Sequence, residues 1–347
     1  GNVTLAISVA PALGPTVSGA VLAVAGWRWL FGVVLPVVVL VTLLGLRRLE
    51  DVGETHVSRV DWWSVVLAAL GFGGLVYGLS RIGEAQPGSV PAWVWITGGA
   101  AVVAGFVQRQ RVLAARSEPL LDLRTLGHRT YALSLSLQSV AFLTMLGAMI
   151  LLPLYLQDLR GLTPLQTGLL VAPGGLAMGL LGPVVGRVFD RVGGRPLTIP
   201  GSVAVLVALA AFSRIGESTP YAAILGIQVL LMVGLAALFT PAFTLGLGAL
   251  PAHLYSHGSS LLGTAQQVSA AVGTAMTVTI LSWRSTSLVA AGESESAAFA
   301  SGVQWAFGVS AVLAVGVVVL TLFLPNRPEV QEDTTDSAES AEEASVS

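Results

Sequence analysis

Three arginines and one aspartate crowd the ten residues Gly186 to Arg195, between two long apolar runs that carry no charge. The chemistry such a set can do is electrostatic. Gly186 and Gly193 let two helix ends approach closely, Asp190 suits the positive N-terminus of a neighbouring helix, and Arg187, Arg191 and Arg195 suit the cytoplasmic headgroup layer. Catalysis has fewer candidates. The four histidines, His56, His128, His253 and His257, fall in predicted cytoplasmic loops. His253 and His257 have a spacing that binds metals on some helices. Pro251 precedes them and no acidic residue lies near, so no metal is expected. Cysteine is absent from the sequence, which excludes disulfides and thiol chemistry. There is no G-x-S-x-G elbow and no phosphate-binding glycine loop, so neither an enzyme nor a cofactor is expected.

Positioning these residues falls to long apolar segments. Of the 347 residues, 54% are hydrophobic and only 10% charged, and the mean hydropathy is +0.80. A soluble domain carries roughly 25% charged residues. Ten apolar runs approach or exceed bilayer-spanning length, near 3–25, 29–46, 62–80, 92–108, 132–157, 165–185, 197–213, 219–247, 257–282 and 302–324. Unbroken apolar runs are helical and lack the alternation of barrel strands. The expected class is all-α: a polytopic transmembrane helical bundle.

Orientation follows from the arginines, since all 17 basic residues are Arg. If the 47–61 loop and the Gly186–Arg195 loop both face the cytoplasm, twelve of them lie inside. Only Arg28, Arg81, Arg160, Arg214 and Arg284 then lie outside, as the positive-inside rule asks. This puts the C-terminus in the cytoplasm. Residues Glu329 to Glu343 hold seven of the 19 acidic groups among Ser, Thr and Ala, so 326–347 is expected to be a disordered acidic tail. The arginines are spread over several loops, which argues against a nucleic-acid partner and for a lipid bilayer.

Every Asp and Glu lies at a span end or in a loop; Asp61, which opens the third span, is expected to pair with Arg59 or a nearby loop Arg. A carboxylate at membrane depth, the usual device of proton coupling, is therefore missing from these spans. The polar residues at depth are Gln138, Gln228, Gln266, Gln267 and Gln304. Interhelical hydrogen bonding is their default role, worth on average about 0.6 kcal/mol. The run 165–185 carries Gly168, Gly174, Gly175, Gly179 and Gly182, which suit either tight packing or a flexing helix.

The arrangement G-x-x-x-D-R-x-G-x-R at Gly186, Asp190, Arg191, Gly193 and Arg195 resembles the loop motif of the major facilitator superfamily. Ala10 to Gly19 resembles the G-x-x-x-G-P-x-x-G-G motif in the fifth span of that family's antiporters; it keeps Gly14, Pro15 and Gly19, while Ala10 and Ser18 replace glycines. Trp27-Arg28-Trp29-Leu30-Phe31 follows, a turn typical of the fourteen-span drug:proton antiporters. The resemblance covers residues 1–325 and makes the first span here the family's fifth.

Several expectations come with it. Residues 1–48 would be the last two spans of an N-terminal half, 49–111 a cytoplasmic loop and two inserted spans, and 112–325 a six-span C-terminal half. Four spans would precede Gly1, the first bearing the proton-coupling Asp. The implied activity is proton-coupled export of drugs or other small amphipathic or cationic molecules across the plasma membrane by alternating access, performed by a monomer. Gln138, Gln228 and Gln267 would line the cavity, with Phe142, Phe239 and Phe243 as its aromatic wall, and Gln304 would face lipid or a neighbouring helix. Family members often carry Arg-Gln where this chain has Gln266-Gln267, which puts a charge role there in doubt. Asp190 would lie near the N-terminal end of the first span. Two other readings stay open: a dedicated exporter of one endogenous metabolite, such as an antibiotic or lipid, and a truncated, non-transporting membrane protein.

Overall fold

The computed structural model describes residues 14, 17–48, 61–82, 90–114 and 121–327. Among them the regular elements are all helical. After a helical stretch at 17–24 come α1 (Arg28–Arg48), α2 (Trp62–Ser80), α3 (Ala92–Ala114), α4 (Arg129–Leu154), α5 (Pro164–Val192), α6 (Arg195–Phe212), α7 (Tyr221–Gly248), α8 (Tyr255–Ala290) and α9 (Glu295–Phe323). A 3-10 turn, Leu123–Gly127, leads into α4, and a π-helical turn, Tyr155–Leu159, continues it.

By length and composition, α1, α2, α4, α5, α6, α7 and α9 are apolar enough to cross a membrane. Two helices over expected spans are more polar. The last turns of α3 carry Arg109 and Arg111, while the 36-residue α8 holds Gln266, Gln267 and many Ser and Thr. Several helices also outrun the apolar runs that foretold them. α5 continues as helix through Val192, so Gly186, Asp190 and Arg191 are helical and the turn shrinks to Gly193-Gly194. The helix runs on to Val192 even though Pro173 and Pro183, which have no N–H, leave gaps in its i to i−4 ladder. Gly193 stops it with φ +84° and ψ −172°, a backbone state open almost only to glycine.

α4 to α9 form a six-helix bundle. α4 packs on α7, α8 and α9; α5 packs on α7; α6 packs on α7 and α9; and α8 packs on α9. α2 and α3 form a hairpin that leans on α8 through α2. The side chains of α1 are almost all exposed. Lipid tails are as apolar as leucine, so helix contacts in a membrane rely on close backbone approach. Gly201 of α6 and Gly234 of α7 show this: a Cβ on either would stand 2.9 or 2.8 Å from the other's carbonyl oxygen. The glycines of α5 are buried at Gly168, Gly174, Gly175, Gly179 and Gly182, which places them on a packing face.

Aromatic residues fix the bundle at depth and at its ends. Phe212 of α6 stacks on Phe307 of α9, with centroids 4.8 Å apart and planes 22° apart. The Tyr131 hydroxyl donates to the Gly258 carbonyl at 2.7 Å at one end, and the Tyr155 hydroxyl donates to the Gly216 carbonyl at 2.8 Å at the other. α5 starts on a capping box. Thr163 accepts from the Gln166 backbone N–H at 3.3 Å, and the Gln166 side chain accepts from the Thr163 N–H at 3.0 Å.

Candidate functional site

The Gly186–Arg195 segment lies against the end of the last helix. The backbone N–H of Gly194 donates to the Asn326 carbonyl at 2.7 Å. The N–H of Arg195 donates to the Asn326 side-chain oxygen at 3.1 Å, and the Asn326 amide donates to the Val192 carbonyl at 3.4 Å. Arg195 completes the clamp through Nε, which donates to the Leu324 carbonyl at 2.9 Å. Gly193 is required here on two counts, its positive φ and its neighbour: a Cβ would stand 2.5 Å from the Asn326 carbonyl oxygen. Nothing in the sequence pattern singles out Asn326. It follows Pro325, just past an apolar run, and only the fold brings it to Gly194.

Of the other motif residues, Gly186 has Thr240 of α7 as neighbour, with 3.9 Å from a Cβ position to the threonine methyl. Arg187, Asp190 and Arg191 are exposed on the last turns of α5. Asp190 forms no ion pair among the described residues, and the N-terminal end of the first span lies outside those residues. Pro15 also lies outside them. Gly14 is exposed with open space around it. Gly19 packs on the start of α5, where a Cβ would stand 2.6 Å from the Pro164 carbonyl oxygen. The small residue there permits a close crossing at the end of α5 opposite the clamp.

The expected cavity residues divide between two faces. Gln138 of α4 is 1% exposed, and its side-chain oxygen accepts from the Gln266 amide of α8 at 3.3 Å. Its own amide nitrogen is buried without a partner. One turn along α4, Phe142 meets Phe239 of α7 with ring centroids 5.8 Å apart. Phe243, a further turn along α7, is 43% exposed. Gln138, Gln266, Phe142, Phe239 and Phe243 thus belong to α4, α7 and α8 and carry no formal charge. Gln228 is buried against Gly174 in the α5–α7 interface. Gln267 points elsewhere, into a cleft of about 530 Å³ between α2 and α8, with Val76, Ser80 and Thr274. One residue along a helix turns a side chain by about 100°, so the sequence alone could not choose between Gln266 and Gln267. Gln304 donates to the Ile215 carbonyl at 2.8 Å, which fixes α9 to the α6–α7 connection.

A polar chain runs along the same end of the bundle as the clamp. Arg109 of α3 holds Asp61 at the start of α2, Ser64 donates to Asp61, the Gln110 amide donates to Ser64 at 2.7 Å, and the Leu121 N–H donates to the Gln110 oxygen at 2.9 Å. The Asp61 carboxyl is held well below the usual carboxylate range, first by the Arg109 hydrogen bonds and then by Ser64. Next to it, the Asp122 backbone N–H donates to His257 Nδ1 at 3.4 Å. His253 lies in the 3-10 turn Ala252–Leu254. The described residues contain no cluster of His, Asp and Glu that could hold a metal.

Comparison with known proteins gives a family. The sequence profile of the Major Facilitator Superfamily matches residues 1–274. The chain is 36% identical over 329 residues to the lincomycin resistance protein LmrB of Listeria monocytogenes, covering 93% of this chain and 69% of that protein. It is 35% identical over 334 residues to the uncharacterized MFS-type transporter YcnB of Bacillus subtilis, covering 96% and 70%. The multidrug resistance protein Stp of Mycobacterium tuberculosis is 28% identical over 286 residues, covering 82% and 52%.

Proposed function

The chain belongs to the major facilitator superfamily, and from that premise we propose that it takes part in proton-driven export of small amphipathic or cationic drugs across the plasma membrane. The family makes it a multi-pass membrane transporter and not an enzyme. On our reading it belongs to the fourteen-span drug:proton antiporters, with α4 to α9 as the second half of an alternating-access carrier and α2 and α3 as the inserted pair. Gln138, Gln266, Phe142, Phe239 and Phe243 would form that half's share of the cavity wall, and Gly186 to Arg195 would close the cytoplasmic side. The C-terminus would be cytoplasmic.

The observation that carries the reading is the uncharged, aromatic wall with one buried amide donor left unpaired. Aromatic faces attract apolar rings and cations, and a few polar groups suffice to orient such ligands, whereas a sugar asks for many hydrogen bonds. The names of the lincomycin and multidrug resistance relatives point the same way.

The test is uptake of lincomycin and of ethidium into everted membrane vesicles containing the protein, with a proton gradient and after its collapse by a protonophore. Accumulation of either compound that disappears with the gradient is expected. Accumulation indifferent to the gradient would remove the proton coupling, and none at all would remove the drug reading.

A further inference from the structure

We propose that the cavity between the last turns of α3 and the 3-10 turn Leu123–Gly127 holds the headgroup of an anionic phospholipid, with Arg111 on its phosphate. The cavity measures about 550 Å³. Its α3 wall runs from Val107 to Ala114, a rise of about 10 Å. That stretch begins inside the apolar run 92–108 and ends beyond Arg111, so on a helix crossing a bilayer it passes from hydrocarbon depth to headgroup depth. The lining is of two kinds. Val107, Leu123 and Leu126 are apolar, while Arg111 and Arg124 bring two guanidinium groups. An amphipathic anion matches both kinds at once, and basic pockets beside membrane helices are where anionic headgroups settle.

The balance of charge selects the lipid. Arg109, two residues before Arg111, is spent on Asp61. Arg124 donates through a terminal nitrogen to the Ala114 carbonyl, and its Nε lies 3.7 Å from the Asp122 carboxylate. That carboxylate also accepts from the Arg124 backbone N–H at 2.9 Å. Arg111 is exposed and forms no ion pair among the described residues. The described lining thus sets two positive charges against one negative, and the surplus belongs to Arg111. Gln110, the other polar side chain of the wall, is 0% exposed and engaged with Ser64 and the Leu121 N–H, so it fixes the wall without adding charge. One surplus positive charge suits a lipid with one net negative charge, such as phosphatidylglycerol, over zwitterionic phosphatidylcholine. A soluble anion would meet the same arginines but leave the apolar part unfilled, where Leu126 is 44% exposed. The site rests on the chain being a membrane protein and stands whether or not the drug-export reading does.

The test titrates the intact chain in a non-ionic detergent with phosphatidylglycerol or with phosphatidylcholine of the same acyl chains, and counts bound lipid by native mass spectrometry. The first phosphatidylglycerol should bind about fivefold more tightly than the first phosphatidylcholine, the worth of one arginine toward an anionic lipid. Arg111→Gln should remove that preference and Arg111→Lys should keep it. Arg214→Gln, at an exposed arginine between α6 and α7, should leave it unchanged. Leu126→Gln should weaken both lipids alike. Equal binding of the two lipids by the parent would overturn the proposal, and so would a preference that survives Arg111→Gln. Displacement of phosphatidylglycerol by an excess of inorganic phosphate would give the cavity to soluble anions and overturn it as well.

Discussion

Arg109 grips Asp61 with two nitrogens, Nε at 2.6 Å and a terminal amino group at 2.8 Å, joining the end of α3 to the start of α2. The two residues are 48 positions apart, and the planar guanidinium matches the carboxylate as a fork matches a fork. Ser64 shares the same carboxylate from one turn along α2 at 2.5 Å. The hairpin is thus latched at one end by charge.

The pH response of that latch follows from its sign. The folded carboxyl is depressed below its unfolded value of about 3.9, so its stabilisation is complete above that pH and fades as pH falls through the lower folded value. Hydrogen exchange at residues 62–66 and 107–111 should therefore stay unchanged from about pH 8 to pH 5 after correction for intrinsic rates. Asp61→Asn should speed exchange at both places at neutral pH. Equal exchange in the variant and the parent would show that the latch holds nothing.

Replacing Gly193 with Ala forces a side chain into a glycine-only backbone state and against the Asn326 carbonyl. The expected loss is about 1–3 kcal/mol, read as a lowered unfolding midpoint in detergent. Asn326→Ala should reproduce part of it by releasing the clamp. Two variants as stable as the parent would mean that the clamp is absent in the folded protein.

The two glutamines on either side of α8 should behave differently. Gln138→Leu and Gln266→Leu should each change stability by less than about 1 kcal/mol, since interhelical hydrogen bonds in membranes are weak. Their effect on equilibrium ethidium binding should be larger, about two- to tenfold weaker. Gln267→Leu, directed at the α2 cleft, should leave binding unchanged. The reverse pattern would place the wall on the other face of α8.

Asp190→Ala should lower export without preventing membrane insertion, because its carboxylate has no ion-pair partner among the described residues whose loss would unfold α5. Export equal to the parent at equal protein level would deny Asp190 a part in closing the cytoplasmic side.

The helices were readable because apolar length is a direct physical requirement of the bilayer, and 62–80 coincides with α2 to the residue. Their ends were not, since the backbone ladder continues past the hydrocarbon until something stops it, as Gly193 does for α5. The pairings of the candidate site residues were not legible. Gln138 and Phe142 stand out as a polar and an aromatic residue one turn apart, but which glutamine of α8 answers Gln138 depends on helix rotation. Asp61 advertised a partner among nearby arginines, and Arg109 came from another helix. Asn326 gave no advance sign, because its role rests on the end of α9 meeting the α5–α6 turn.

The length of α8 has a mechanical side. Thirty-six residues make a rod of roughly 54 Å, against a hydrocarbon layer of about 30 Å. A rod of that length set across such a layer would reach beyond it at both ends, as the arms of a lever do. Tilting it about its centre by about 10° would carry each tip close to 5 Å. A ligand that leans on Gln266 would thereby be felt at His257, nine residues nearer the tip, where the backbone of Asp122 is attached. Pressure inside the bundle would arrive at the hairpin of α2 and α3 as displacement, with no signal passing through the lipid.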